Sequence, residues 1–153
     1  MHHRKIGGKT HNESIGRLIS HLHRHIHMYI DRRLERYGIG SGQFPFLMRL
    51  YRNDGVNQET LARFLDVDKA TSARAIKKLE DAGYVRRERD AEDSRAYRIF
   101  LTEKGKSVKP AIKNISRELR EVALSGFTGK EKDLIILLLE RMIRNISSTE
   151  EGK

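Results

Sequence analysis

The stretch from Asn57 to Val85, NQETLARFLDVDKATSARAIKKLEDAGYV, constrains this chain more than any other. Leu61, Ala62 and Leu65 recur at helical spacing behind Asn57, a residue able to cap a helix, with Glu59 near the helix's positive end. Asp66-Val67 interrupts the period, and Val67 is expected to drop inward. Asp68 then caps a second helix with Ser72, Ile76 and Leu79 on its inner face, and Gly83 stands where a helix ends in the left-handed region. Two short helices joined by so tight a turn make a helix-turn-helix. The residues that follow, YVRRERDAEDSRAYRIFLTEKG, put β-prone runs at 84–89 and 95–101 around a polar loop at 90–94, which reads as a hairpin. The predicted fold is mainly α with a small β-hairpin: a winged helix-turn-helix between long N- and C-terminal helices.

The flanks carry those long helices. Residues 1–11 read as a flexible tail. From Asn12, a suitable cap, Ile15, Leu18, Ile19, Leu22 and Ile26 keep helical spacing, and the helix should stop at Gly38 after Tyr37. A turn, Gly40-Ser41-Gly42, leads to a helix with Phe44, Phe46, Leu47 and Leu50 on its apolar face and Pro45 in its first turn, closed by Asn53-Asp54-Gly55. After the hairpin, Thr102 caps a long helix through Val108, Ile112, Ile115, Leu119 and Val122. Pro110 lies inside that pattern, so a kink or restart is expected there. Thr128 and Glu131 have capping-box spacing for a last helix with Leu134, Ile135, Leu138, Leu139, Met142, Ile143 and Ile146. The resulting organisation is a DNA-binding lobe at 41–103, flanking helices at 12–37 and 104–147, and a flexible tail at 148–153.

With 31 Lys and Arg against 21 Asp and Glu, the 153-residue chain carries a formal net charge of +10. A polyanionic partner suits that balance, since each phosphate neutralised releases counterions. A solvated basic surface would have the same composition, so charge decides nothing until it is placed on the motif. A recognition helix enters the major groove and presents its N-terminal side chains to base edges. Here the outward positions are Lys69, Ala70, Thr71, Arg74, Lys77 and Lys78. Arg74 can give two hydrogen bonds to a guanine, Thr71 can meet a base or a phosphate, and Ala70 a thymine methyl. Lys77 and Lys78, further along, suit phosphates, which position without specifying. The hairpin supplies Arg86, Arg87, Arg89, Arg95 and Arg98. Its loop is acidic, and Asp90, Glu92 and Asp93 are expected to pair with Arg89 and Arg95 and stiffen it. The partner implied is double-stranded DNA.

These residues resemble the MarR family of winged-helix regulators. The likeness is carried by Leu61-Ala62, Leu65, Val67-Asp68-Lys69-Ala70-Thr71, Arg74, Ile76, Leu79-Glu80, Gly83, Val85, Arg87, Asp90, Asp93, Arg95 and Leu101-Thr102-Glu103-Lys104-Gly105. The wing followed by LTEKG is the more specific part. The resemblance implies a homodimer built by the first and last helices, a pseudo-palindromic operator, usually repression, and release by small phenolic or aromatic ligands held between dimerisation and DNA-binding lobes. For a ligand of that kind, an aromatic acid, Arg17, His21, Tyr37, Met48 and Arg86 are the candidate contacts. The family's wing often reads Asp-x-Arg-Asp-x-Arg. This chain has Glu92 at the first arginine position, so specificity should rest more on Thr71 and Arg74 than on the wing tip. The apolar band of the last helix is wider than one contact needs, and Leu18, Leu22 and Ile26 match it; an intramolecular helix pair would account for the same pattern.

Other chemistries find little support. The chain has no Cys, which excludes disulfides, thiolate metal sites and thiol redox switches. No phosphate-binding glycine loop, nucleophile elbow or metalloprotease histidine motif is present, so no enzyme is predicted. No apolar run nears the roughly 20 residues of a membrane span, and the first residues lack a secretory apolar stretch, so the chain reads as cytoplasmic. His21, His23, His25 and His27 alternate along the first helix. An i, i+4 pair can hold zinc only with further ligands, so no metal or cofactor is assigned. The histidines suit surface or interface roles, including a proton-sensitive one. Two other readings stay open: a winged-helix architectural or protein-interaction module, and a metal-sensing regulator working through these histidines.

Overall fold

A computed structural model describes residues 11–151. Residues 1–10, nearly all of the expected N-terminal tail, and the side chain of Asn12 lie outside the described residues. The chain divides into two compact units, one ending at Ser116 and one beginning at Arg117.

The first unit opens with α1 (His11–Leu34), which tightens into a 3-10 turn at Glu35–Tyr37. Gly38 closes it with φ 74°, and its N–H donates to the Glu35 carbonyl. The loop beyond is tied back to α1: the Ser41 N–H donates to Asp31 Oδ1 at 2.6 Å. That bond, more than any other cause, holds the Asp31 carboxyl below its ordinary range. α2 (Phe44–Leu50) follows, with Pro45 in its first turn and Phe44, Phe46, Leu47 and Leu50 buried, as the sequence indicates.

α3 (Gln58–Phe64) and α4 (Lys69–Asp81) form the helix-turn-helix. Asn57 Oδ1 accepts from the N–H groups of Glu59 and Thr60. In the turn, Asp66 takes φ 53°, a left-handed conformation that aspartate tolerates better than most residues. The reversal lets the Val67 N–H donate to the Ala62 carbonyl at 3.1 Å. Leu61, Ala62, Ser72, Ala75, Ile76 and Leu79 are buried between these helices and their neighbours, joined in the core by Leu34, Leu47, Leu50, Ile99 and Ile112. Each fully buried leucine or isoleucine contributes about 1.5–3 kcal/mol relative to exposure.

The hairpin comprises β2 (Val85–Arg89) and β3 (Tyr97–Leu101), with Val85 opposite Leu101 and Arg89 opposite Tyr97. The expected hairpin is therefore present, with a loop two residues longer than the sequence suggests. A third strand, β1 (Val56–Asn57), pairs antiparallel with β3, giving the order β1-β3-β2. It is held by the Gly55 N–H, which donates to the Ile99 carbonyl, and by Asp54 Oδ1, which accepts from the Leu101 N–H.

The segment LTEKG locks this sheet to the end of α4. The Thr102 hydroxyl donates to the Gly83 carbonyl at 2.6 Å and accepts from the Gly105 N–H, capping α5 (Glu103–Ser107). Lys104 Nζ donates to the Ala82 carbonyl at 2.7 Å. The Tyr84 hydroxyl donates to the Tyr37 carbonyl at 2.6 Å, and that of Tyr51 to the Gly105 carbonyl at 2.8 Å. Burial raises both phenols above their ordinary values. α6 (Lys109–Ala123) restarts the helix beside Pro110, the interruption expected there, and buries Ile112 and Ile115.

In the second unit, the end of α6 leads to α7 (Gly129–Glu151). The capping box is formed: Glu131 Oε1 accepts from the Thr128 N–H at 2.9 Å, and Thr128 Oγ1 accepts from the Glu131 N–H at 3.2 Å. α7 continues to Glu151, so 148–151 are helical where a flexible tail was expected. The Ser148 and Thr149 hydroxyls donate back to the Asn145 carbonyl, which satisfies both without leaving the helix.

A Cβ at position 105 would lie 2.2 Å from the Tyr84 carbonyl oxygen, a rigid backbone atom. Alanine in a helix gains up to about 1 kcal/mol over glycine, but relieving that overlap costs more. Gly105→Ala should therefore lower stability by about 1–3 kcal/mol net, read as the urea midpoint. An unchanged or raised midpoint would show that the junction has slack.

Candidate nucleic-acid interface

The recognition helix is set by its cap. Asp68 Oδ1 accepts from the Thr71 N–H at 2.7 Å, and Oδ2 accepts from the Thr71 hydroxyl at 3.1 Å. These bonds, the backbone one foremost, hold the Asp68 carboxyl below its ordinary 3.8, with Arg74 adding a smaller attraction. Thr71 Oγ1 also accepts from Arg74 at 3.4 Å. The two residues expected to read bases are thus linked to each other and to the cap before any ligand is present.

The outward stripe of α4 is Lys69, Ala70, Ala73, Arg74 and Lys77, all exposed. Lys69 Nζ lies 3.5 Å from Glu59 on α3. Lys77 pairs with Asp81 at 2.8 Å, which raises its ammonium above the ordinary range. Water screens this exposed pair, and the lysine can exchange its carboxylate for a phosphate. Lys78 helps hold the Asp31 carboxyl low, so its charge is felt at the end of α1.

A 460 Å³ cleft runs between the start of α3, α4 and the wing. Lys69, Ser72 and Ala73 line one side, and Asp93, Arg95 and Tyr97 the other. Arg87 reaches across from β2: its Nε donates to Gln58 Oε1 at 3.2 Å, and its guanidinium stacks 4.1 Å over the Tyr97 ring. Arg89 lies 5.8 Å over the same ring, and it donates to the Ser94 carbonyl. Of the DNA-contact residues read from the sequence, Lys69 and Arg95 line the cleft, and Arg87 and Arg89 converge on Tyr97. Gln58, Ala73 and Tyr97 were missed. Ala73 follows Lys69 by four positions and Ala70 by three, so the helical period alone could have found it.

The wing loop is stiffened differently from the expected pairing. Its ion pair is Asp90 with Arg98, 2.9 Å apart, and not an acid with Arg89 or Arg95. The reason is register: Arg98 lies across from Glu88, within reach of Asp90 at the end of β2. Asp90 also accepts from the Glu92 N–H, and together these contacts hold its carboxyl low. Asp93 meets the backbone N–H of Arg95 rather than its guanidinium, leaving that cation toward the cleft.

The candidate effector contacts are spread over separate elements. Arg17 and His21 are exposed on α1, Tyr37 sits part-buried in the 3-10 turn, and Met48 is part-buried on α2. Arg86 pairs with Glu88 and lies 4.7 Å over the Phe100 ring. None of the five lines the cleft beside α4.

The comparisons agree with this geometry. A family model described as MarR family matches residues 39–97. An uncharacterized HTH-type transcriptional regulator from Bacillus subtilis, YybA, is 46% identical over 105 residues, covering 69% of this chain and 70% of that one. A solved MarR transcriptional regulator from Methanosarcina mazei is 52% identical, with a TM-score of 0.81 over 90% of this chain and 99% of that one. A putative MarR family regulator from Listeria monocytogenes, solved with a 26mer DNA, is 30% identical, with a TM-score of 0.81 over 88% of this chain and 90% of that one.

Asp68 is depressed in the folded protein, so its contribution to stability is present above the unfolded value and lost as pH falls through and below 3.8. The urea midpoint of Asp68→Ala should lie below that of the wild type at pH 7, and the gap should narrow at pH 3. A gap that is the same at both pH values would mean that the carboxylate charge is not what caps α4.

Proposed function

The chain belongs to the MarR family and is a DNA-binding transcriptional regulator rather than an enzyme; from that premise we propose that it acts in the cytoplasm as a homodimer on a pseudo-palindromic operator, as a repressor released by a small aromatic or phenolic ligand. The observation that carries the DNA reading is the exposed stripe of α4, linked to its own N-cap and bordered by Arg87, Arg89 and Arg95. Thr71 and Arg74 read base edges, Ala70 meets a thymine methyl, and Lys69, Lys77, Lys78 and the wing arginines neutralise phosphates.

Two apolar faces support the dimer. α1 exposes Ile15, Leu18, Ile19 and Leu22, and α7, taken by itself, exposes Leu134, Leu138, Leu139, Ile143 and Ile146. Leu22 is 54% and Ile143 61% exposed, values that a second copy would lower at a gain of about 25 cal/mol per Å² covered. A twofold dimer also presents two recognition helices to two half-sites. For the effector, Arg17, His21, Tyr37, Met48 and Arg86 offer the cationic, hydroxyl and apolar groups that an aromatic acid needs.

Arg74→Ala tests the assignment. Against a duplex selected by the wild type, the loss should be about 1–3 kcal/mol, and it should be smaller on a scrambled duplex. Equal losses on both would make Arg74 a phosphate contact only. No loss on either would remove α4 from the interface.

A further inference from the structure

We propose that His21 and His25 on α1 form a two-imidazole chelate for a divalent transition-metal ion, with Cu²⁺ bound in preference to Ni²⁺ or Zn²⁺. The two residues are one helical turn apart, and their Nε2 atoms approach to 2.9 Å, one donating its hydrogen to the other. Their ring centroids are 4.6 Å apart. Both side chains are exposed, so an ion reaches them without rearrangement of the core. Metal ligation needs a lone pair on each Nε2. The ring carrying its proton there becomes the Nδ1–H tautomer, both imidazoles stay neutral, and the ion takes the place of the shared hydrogen.

The donor set selects the ion: two imidazoles one helical turn apart, with their Nε2 atoms already close, can take adjacent positions about one metal at metal–nitrogen distances of about 2.0–2.1 Å. Such a nitrogen pair suits adjacent positions of a tetragonal site, the geometry of Cu²⁺ and Ni²⁺, and Cu²⁺ binds nitrogen ligands more tightly. Among the described residues no third His, Cys, Asp or Glu joins the pair, so water completes the coordination. The neighbouring pair makes a contrast on the same helix. The His23 and His27 ring centroids lie 3.9 Å apart with the rings tilted by 49°, and His27 Nδ1 is engaged with the Ser41 hydroxyl at 3.3 Å.

The test uses the full chain with His2, His3 and His11 replaced by Gln, which removes the imidazoles outside the two pairs. This parent is titrated with Cu²⁺ and followed by electron paramagnetic resonance. One ion per chain with a two-nitrogen coupling pattern is expected. Adding His21→Gln or His25→Gln should weaken binding at least about tenfold, because the second imidazole then no longer acts at high effective concentration. Adding His23→Gln should leave it unchanged. Parent-like binding by the His21→Gln variant, an equal loss with His23→Gln, or no retained copper in the parent would each overturn the assignment.

Discussion

The contact between Gly105 and the Tyr84 carbonyl is the constraint on which the DNA-facing surface depends. It occurs where the end of α4, the start of β2 and the start of α5 meet, and there is no room in it for a β-carbon. Around it the Thr102 hydroxyl joins the Gly83 carbonyl to the Gly105 N–H, and Lys104 closes the end of α4 through the Ala82 carbonyl. The recognition helix and the wing therefore leave one junction in fixed directions. Were it loose, the distance between the α4 stripe and Arg95 would vary, and contacts that need donors placed within a few tenths of an ångström would be lost.

Much of this was legible in the sequence because it rests on local chemistry. Asn57, Asp68 and the Thr128–Glu131 pair each cap the helix that they were expected to cap, and Thr102 caps α5, only the first turn of the long helix expected after it. Pro110 marks the break between α5 and α6. The features that escaped depend on partners distant in the chain. β1 is only two residues long and carries no period; it exists because β3 lies alongside to pair with it. Gln58 and Tyr97 meet at the interface through Arg87, from positions 29 and 10 residues away. The partner of Asp90 depends on strand register, which the loop length does not reveal.

The same geometry explains how a wing with three acids in its loop can serve a basic interface. Asp90 and Asp93 are spent on Arg98 and on backbone N–H groups, so they shape the loop rather than oppose phosphate. Glu92 stands where the family often has arginine, and the cations that remain, Arg87, Arg89 and Arg95, gather around Tyr97 and the cleft at its foot. Positive charge is thereby concentrated beside α4 rather than at the wing tip. On the proposed reading, discrimination then rests on the major groove, where base pairs are distinguishable.

The most direct measurement is selection of bound duplexes from a random library by the wild-type chain, followed by sequencing. A twofold-related motif is predicted, with half-site centres about 10–10.5 base pairs apart or a multiple of that, and with its strongest preferences in the major-groove positions facing Thr71 and Arg74. Enrichment with no shared motif would contradict base reading by α4, and a single unpaired half-site would contradict the twofold arrangement.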